Sequence, residues 1–255
     1  MNQAVMISLF KDFFAPEVVA YTSDRSVDFK LQEGQTELTR SQKDFLTFQL
    51  GFRITNGINM KQVHGKVILK ADGNLLPQKK PLVEADAIVT NQKNLPVLTR
   101  TADCLPVFFH DPVKQCIAVA YAGWKGTQYS IVTGTIEKMR ELWGTEAKDV
   151  KVAFGPAIQK CCYEVGREFK QIFPDGIVRQ KGKDYLDLVL VNKQQLLSIG
   201  VEEKNIFDCG LCTFCNKQYF SFRREGEKAG RMVSFMMLKD SSPHFSRILC
   251  TLLSL

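Results

Sequence analysis

His64, one of three histidines in this 255-residue chain, lies in Gln62-Val63-His64-Gly65, where a loop gives way to an apolar run. Such a junction delivers side chains to a site rather than to a core. A second polar cluster, Thr101-Ala102-Asp103-Cys104-Leu105-Pro106, stands at the mouth of another apolar run. A cysteine there can attack a substrate or hold a metal, and both roles use the thiolate. Taken alone, it packs as a small apolar residue. Tyr121-Ala122-Gly123-Trp124-Lys125-Gly126-Thr127 joins a strand-like run to a helical one. Glycines at a helix start let backbone amides approach an anion such as phosphate, although this pattern is neither a P-loop nor a dinucleotide fingerprint. His110 is six positions from Cys104 on the same run, roughly 20 Å away if extended, so it does not join that cluster. His244 sits in a C-terminal tail that nothing in the sequence ties to the site.

Cysteines form a further group. Cys209-x2-Cys212-x2-Cys215 is dense, but no separate CxxC stands elsewhere in the sequence to complete a ribbon pair, so loop or buried thiols are the first reading. With Cys161 or Cys162 as a remote fourth ligand, the same residues make a structural zinc or iron–sulfur site.

Short β-branched runs must position these residues: Val63–Leu69, Ala85–Thr90, Leu95–Thr99, Leu105–His110, Cys116–Tyr121, Val150–Phe154, Ile206–Cys209, Tyr219–Phe222 and Met232–Leu238. Helical signals are fewer. Thr36 to Leu50 stops at Gly51. Val132, Ile136, Met139 and Trp143 recur at helical spacing before Gly144, and Tyr185 to Ile199 ends at Gly200. Runs of strands with helices between and after them predict an α/β fold of the α+β type: one domain over 1–255 of packed mixed sheets with helices outside, and a tail over 240–255.

The bulk numbers exclude several classes. Hydrophobic residues make up 45% and charged residues 24%, ordinary for a globular chain. The net charge of +7 comes from 34 basic and 27 acidic residues, and only Lys79-Lys80 and Arg223-Arg224 are paired basics. Nucleic-acid binding leaves a clustered footprint, so no such partner is expected. The first apolar run is broken by Lys11 and Asp12, and no stretch approaches the ~20 apolar residues of a membrane span. A cytoplasmic protein, monomer or homodimer, is the expectation. Its eight cysteines are then thiols or ligands rather than a disulfide framework.

Taken in order, the motifs are specific. Gln62-Val63-His64-Gly65, Ala85-Asp86-Ala87, Thr101-Ala102-Asp103-Cys104-Leu105-Pro106 and Ala122-Gly123-Trp124-Lys125-Gly126-Thr127 resemble the laccase-domain (YfiH-like) family. So do Gly155-Pro156-Ala157-Ile158, Cys161-Cys162-Tyr163-Glu164-Val165 and Phe220-Ser221-Phe222-Arg223-Arg224-Glu225-Gly226 with Gly230-Arg231-Met232. The likeness runs from about Gln62 to about Leu238. Thr39-Arg40 and Phe29-Lys30-Leu31 depart from the family pattern, as does Lys125, where an arginine is usual.

The resemblance implies a zinc, sometimes reported as copper, held by His64, by Cys104 and by a histidine at the position that is Tyr121 here. It implies phosphorolysis of purine nucleosides, methylthioadenosine included, and deamination of adenosine; the partners are a nucleoside and phosphate. Deamination needs a water activated by the metal, whereas phosphorolysis brings its own nucleophile. On that footing His64, Cys104 and Asp103 are the candidate catalytic residues, Gly123, Lys125, Gly126 and Arg231 the candidate substrate-binding ones, and His64, Cys104 and Tyr121 the candidate metal set. Arg223 and Arg224 bind an anion or pair structurally, and Trp124 stacks on a base or packs. Three other readings stay open: a cysteine hydrolase using Cys104 and His64, as in peptidoglycan precursor editing; a degenerate metabolite-binding homologue; and, least favoured in a chain with three histidines, a copper polyphenol oxidase.

Overall fold

In chain order, the described residues of the computed structural model (10, 12–32, 34–50, 57–72 and 82–240) begin with β1 (Val18–Thr22), α1 (Arg40–Leu50), β2 (Ile68–Lys70), β3 (Ala87–Thr90) and β4 (Val97–Thr101). There follow β5 (Leu105–Asp111), β6 (Cys116–Ala122), α2 (Trp124–Gln128), α3 (Ile131–Trp143), β7 (Lys151–Phe154), β8 (Glu164–Val165) and α4 (Phe169–Ile172). The last are β9 (Ile177–Gln180), β10 (Lys183–Leu186), α5 (Leu188–Ser198), β11 (Ile206–Asp208), α6 (Phe222–Glu225) and β12 (Met232–Leu238). His244, Cys250 and the tail beyond residue 240 lie outside the described residues.

The hairpin β5–β6 is the centre of a six-stranded mixed sheet ordered β11-β7-β5-β6-β3-β2. Its strands alternate by face, as a period of two dictates. Leu105, Val107 and Phe109 with Ala118, Ala120 and Ala122 face one way, against Ile131, Ile136 and Met139 of α3 and Leu196 of α5. The alanines let the helices sit close. Phe108, Ile117, Val119 and Tyr121 face the other way, against Val97, Met236 and Leu238 of a second, antiparallel sheet, β1-β12-β4. The outer face of that sheet, with Tyr21, Leu98, Val233 and Phe235, is closed by Phe29, Leu38 and Leu46, the last from α1. The order helices, sheet, sheet, helix is the mixed α/β architecture the sequence predicts. A small sheet, β8-β10-β9, stands apart from these layers.

Helix ends follow their capping residues. Thr39 and Gln42 bond reciprocally at the start of α1, the hydroxyl accepting from Gln42 N at 3.3 Å and the amide oxygen from Thr39 N at 2.9 Å. This cap moves the start from the expected Thr36 to Arg40. Asp187 caps α5 through Leu190 N, so Tyr185 belongs to a strand instead. The expected strand Tyr219–Phe222 is corrected to a turn and α6, because the Ser221 hydroxyl accepts from Arg224 N and starts a helix. Residues 63–67 of the expected strand Val63–Leu69 form a loop bound to a buried carboxylate, leaving only β2. Among the described residues no helix is long and apolar enough to cross a membrane.

His110 is sealed at the far end of β5 with its ring against the edge of Phe14, and neither ring nitrogen has a partner among the described residues. Burial lowers its pKa from 6.5 to about 4, against the pull of Glu17 and Asp111 and with help from Lys151 and Lys93. The folded value is the depressed one, so the unfolded chain takes the proton first as pH falls. Stability is therefore lost on acidification between about 6.5 and about 4, by about 2–3 kcal/mol at pH 4.5. Urea unfolding at pH 7 and 4.5 checks this: His110→Leu should remove that part of the acid sensitivity. An unchanged difference between the two pH values would show that His110 is not held neutral.

Candidate active site

Two buried carboxylates, Asp86 and Asp103, build the site. Asp86, fully buried at the start of β3, accepts from the backbone amides of Val63 (3.1 Å), His64 (2.9 Å) and Gly65 (2.7 Å). It holds His64 in the left-handed region at φ 58°, a conformation that a non-glycine residue adopts at a cost. A side chain at position 65 would meet the Asp86 carboxylate at 3.3 Å. Gln62 locks the same loop to β4, accepting from Arg100 N and donating to Arg100 O.

Asp103 does the equivalent for Cys104. Its carboxylate accepts from the Thr213 and Ser221 hydroxyls (2.6 and 3.0 Å) and from Arg223 N (2.6 Å). These three bonds join the β4–β5 turn to the 213–223 segment, so Asp103 positions Cys104 while standing in the cleft wall itself.

The register Pro106↔Tyr121 brings Cys104 beside the end of β6. There the three expected residues meet. The Tyr121 hydroxyl donates to Cys104 Sγ at 2.9 Å and lies 2.8 Å from His64 Nε2, with the two rings edge to face at 5.1 Å. Since the phenol proton goes to sulfur, Nε2–H donates to the phenolic oxygen and Nδ1 is left as the acceptor of a neutral imidazole. Burial lowers the His64 pKa, opposed by Asp86 and assisted by Lys125 and Arg231. Burial also pushes the Cys104 thiol up to about 11 and raises the Tyr121 phenol well above its usual range. Gly123 is needed for this packing, because a Cβ there would lie 3.1 Å from Cys104 Sγ and 3.3 Å from the Tyr121 ring.

A zinc between His64 and Cys104 would sit about 2.0–2.3 Å from nitrogen and sulfur. The phenolic oxygen lies 2.8 and 2.9 Å from those two atoms, and its hydrogen bonds engage both donor atoms an ion would use. The residues present therefore do not fit the family's metal; the hydroxyl stands in its stead.

The trio opens on a cleft of about 530 Å³ whose walls include the cations Lys30, Lys61, Arg100, Arg223 and Arg231. Arg100 is the unusual one. It is 6% exposed on β4, Nη2 donates to Asn59 Oδ1 at 2.9 Å, and Nε and Nη1 have no partner among the described residues. Burial lowers its pKa to about 10, still far above neutrality, so it is a buried cation with donors to spare. Arg223 lies over the Tyr163 ring and Arg231 over Phe222, both rings in the cleft wall. Arg224 is structural, bonded to the carbonyls of Thr213, Phe214 and Tyr219.

Gly123, Lys125 and Gly126 are not brought into the cleft wall. Gly126 packs beneath the His64 loop, where a Cβ would meet Tyr121 O at 3.1 Å and Gly65 O at 3.5 Å. Lys125 is exposed beside Trp124, whose ring packs on Phe169. Sequence reasoning missed Arg100 and Asn59. The available signal was a lone arginine inside the buried run Val97–Thr101.

Known proteins agree with this architecture. The chain is 35% identical over 226 residues to a purine nucleoside phosphorylase of Clostridium acetobutylicum, covering 86% of this chain and 90% of that one. It is 34% identical over 187 residues to the purine nucleoside phosphorylase YfiH of Escherichia coli, covering 70% and 72%. The crystal structure of the Bacillus licheniformis hypothetical protein YfiH superimposes with a TM-score of 0.78 at 26% identity, covering 88% and 93%. YlmD of Geobacillus stearothermophilus does so at 0.78 and 25%, covering 89% and 94%. A family model described as multi-copper polyphenol oxidoreductase laccase matches residues 26–239, so the chain belongs to the laccase-domain family.

Proposed function

We propose that this chain is a purine nucleoside phosphorylase that works without a metal at His64 and Cys104. The observation that carries the reading is the under-bonded Arg100 guanidinium in the wall of the cleft that holds His64. A buried cation with free donors suits an oxyanion, and Lys30, Arg223 and Arg231 stand in the same wall. The names of the relatives support the same reaction.

In phosphorolysis the bond from C1′ to the purine breaks and a bond from C1′ to a phosphate oxygen forms. Hydrogen phosphate dianion enters with one proton, pentose 1-phosphate leaves with none, and the purine leaves with it. His64, neutral and held through Nε2, has no partner at Nδ1 among the described residues, which leaves that nitrogen to take the proton and hand it on. Arg100 holds phosphate, and the Tyr163 and Phe222 rings supply flat apolar wall for a base.

A cysteine hydrolase is less well supported. Cys104 meets the Tyr121 hydroxyl rather than His64, and burial disfavours its thiolate. Copper oxidation needs several histidine-rich centres, and His110 is sealed in the core.

Chromatography of inosine, guanosine, adenosine and methylthioadenosine incubated with the protein tests the proposal. Free base and pentose 1-phosphate should appear together, and only when phosphate is present. Base release at the same rate without phosphate, or inosine formed from adenosine with no base release, would overturn it.

A further inference from the structure

Outside the cleft, the loop after β7 and the loop after β11 bring four thiols together. Sγ atoms of Cys161, Cys162, Cys212 and Cys215 all lie within 4.8 Å of one another. Cys161 and Cys215 are 3.7 Å apart, and Cys162 and Cys215 3.3 Å. A tetrahedral site with zinc–sulfur bonds of about 2.3 Å has edges of about 3.8 Å, so this is the spacing four thiolates take around one ion. Cys209, the first residue of the sequence cluster, stands outside the group, and burial pushes its thiol up to about 12.

The backbone prepares the site. A parallel bridge between Ala157 and Cys212 clamps the two loops, with Ala157 N donating to Leu211 O and Thr213 N to Ala157 O. Backbone amides of Cys215, Gln159 and Phe214 and the Cys161 thiol all direct hydrogen bonds at Cys212. Amides aimed at sulfur are what a metal thiolate requires around it. Arg224, paired with Glu225, clamps the same loop by donating to Thr213 O and Phe214 O. Cys161 and Cys215 are exposed, which gives an ion a way in.

We propose that Cys161, Cys162, Cys212 and Cys215 bind one structural zinc ion, a site separate from the cleft. Four thiols yield four protons as the ion is taken up. The ion ties together loops that brace the active site: Ile158 N donates to Asp103 O, the Thr213 hydroxyl binds the Asp103 carboxylate, and Tyr163 lines the cleft.

Protein purified under reducing conditions is assayed for metal by plasma mass spectrometry, then stripped and titrated with Co²⁺. One zinc per chain is expected, and the cobalt form should give the charge-transfer and d–d bands of a tetrahedral sulfur site. Cys162→Ser and Cys215→Ser should lose the ion, whereas Cys209→Ser and Cys104→Ala should keep it. Circular dichroism of the serine variants, with the cobalt titration of the unaltered chain, separates a lost ligand from a lost fold. The proposal is overturned by an unaltered chain that carries no zinc and gives no sulfur-type cobalt spectrum. It is equally overturned by disulfides among these four residues in freshly reduced protein, by iron in place of zinc, or by metal retained in both folded serine variants.

Discussion

Arg100→Met is expected to lower kcat/KM for phosphate by about thirty- to a thousand-fold while leaving the fold as stable as before or more so. The two halves of that expectation come from one observation. The guanidinium is buried on β4, and among the described residues it makes one side-chain hydrogen bond, to Asn59, and leaves two nitrogens unpaired. Unpaired buried polar groups cost stability, about 1–3 kcal/mol each, and a buried charge costs more. Replacing this side chain with an unbranched apolar one removes the cost and leaves only the Asn59 oxygen to find another donor. A bound oxyanion would lose a desolvated, charge-assisted contact worth about 2–4 kcal/mol, which is the stated range in rate. Lysine at the same position keeps the charge but not the planar fork, so Arg100→Lys should fall between the two. Kinetics at varied phosphate and a thermal melt decide the matter. If phosphate kinetics are unchanged, or if only the nucleoside KM moves, Arg100 is not the anion contact.

That residue also marks where the sequence stopped being informative. His64, Cys104 and Tyr121 could be picked out because each sits in a motif at the end of a recognisable run. The hairpin register that joins two of them follows from the alternation of Leu105–Asp111 with Cys116–Ala122. Arg100 has no such motif: inside Val97-Leu98-Thr99-Arg100-Thr101 it is a single polar residue on a short strand, and only its neighbours in space reveal it as under-bonded. The roles of Asp86 and Asp103 were hidden for a related reason. An aspartate beside a cysteine suggests chemistry, but the fold spends both carboxylates on backbone amides and hydroxyls from loops far along the chain. The aromatic run at Tyr219–Phe222 favoured a strand by propensity, and one capping serine decided otherwise. The four-cysteine group needed the Ala157–Cys212 bridge, a pairing of distant segments that spacing alone does not reveal.

Tyr121→His should convert the centre back to a metal site, and this tests the geometry more directly than any loss of activity. In the native chain the phenolic oxygen lies 2.9 Å from Cys104 Sγ and 2.8 Å from His64 Nε2, hydrogen-bonded to both atoms an ion would need. An imidazole on the same strand end withdraws that oxygen and completes a set of two histidines and one cysteine, a three-ligand arrangement known for catalytic zinc with a fourth position open to water. Metal content should rise by one ion per chain over the unaltered protein, whatever the four-cysteine group holds. Deamination of adenosine, which needs a metal-activated water, should appear with it, while phosphorolysis, resting on Arg100 and the incoming phosphate, should change far less. Tyr121→Phe separates the hydroxyl from the ring: it keeps the shape, leaves His64 Nε2–H without its acceptor and Cys104 Sγ without its donor, and should cost about 1–3 kcal/mol in unfolding free energy with no gain of metal. Should Tyr121→His leave metal content and both rates where they were, the phenol does not stand at a ligand position, and the hydrogen-bonded trio would have to be explained as packing alone.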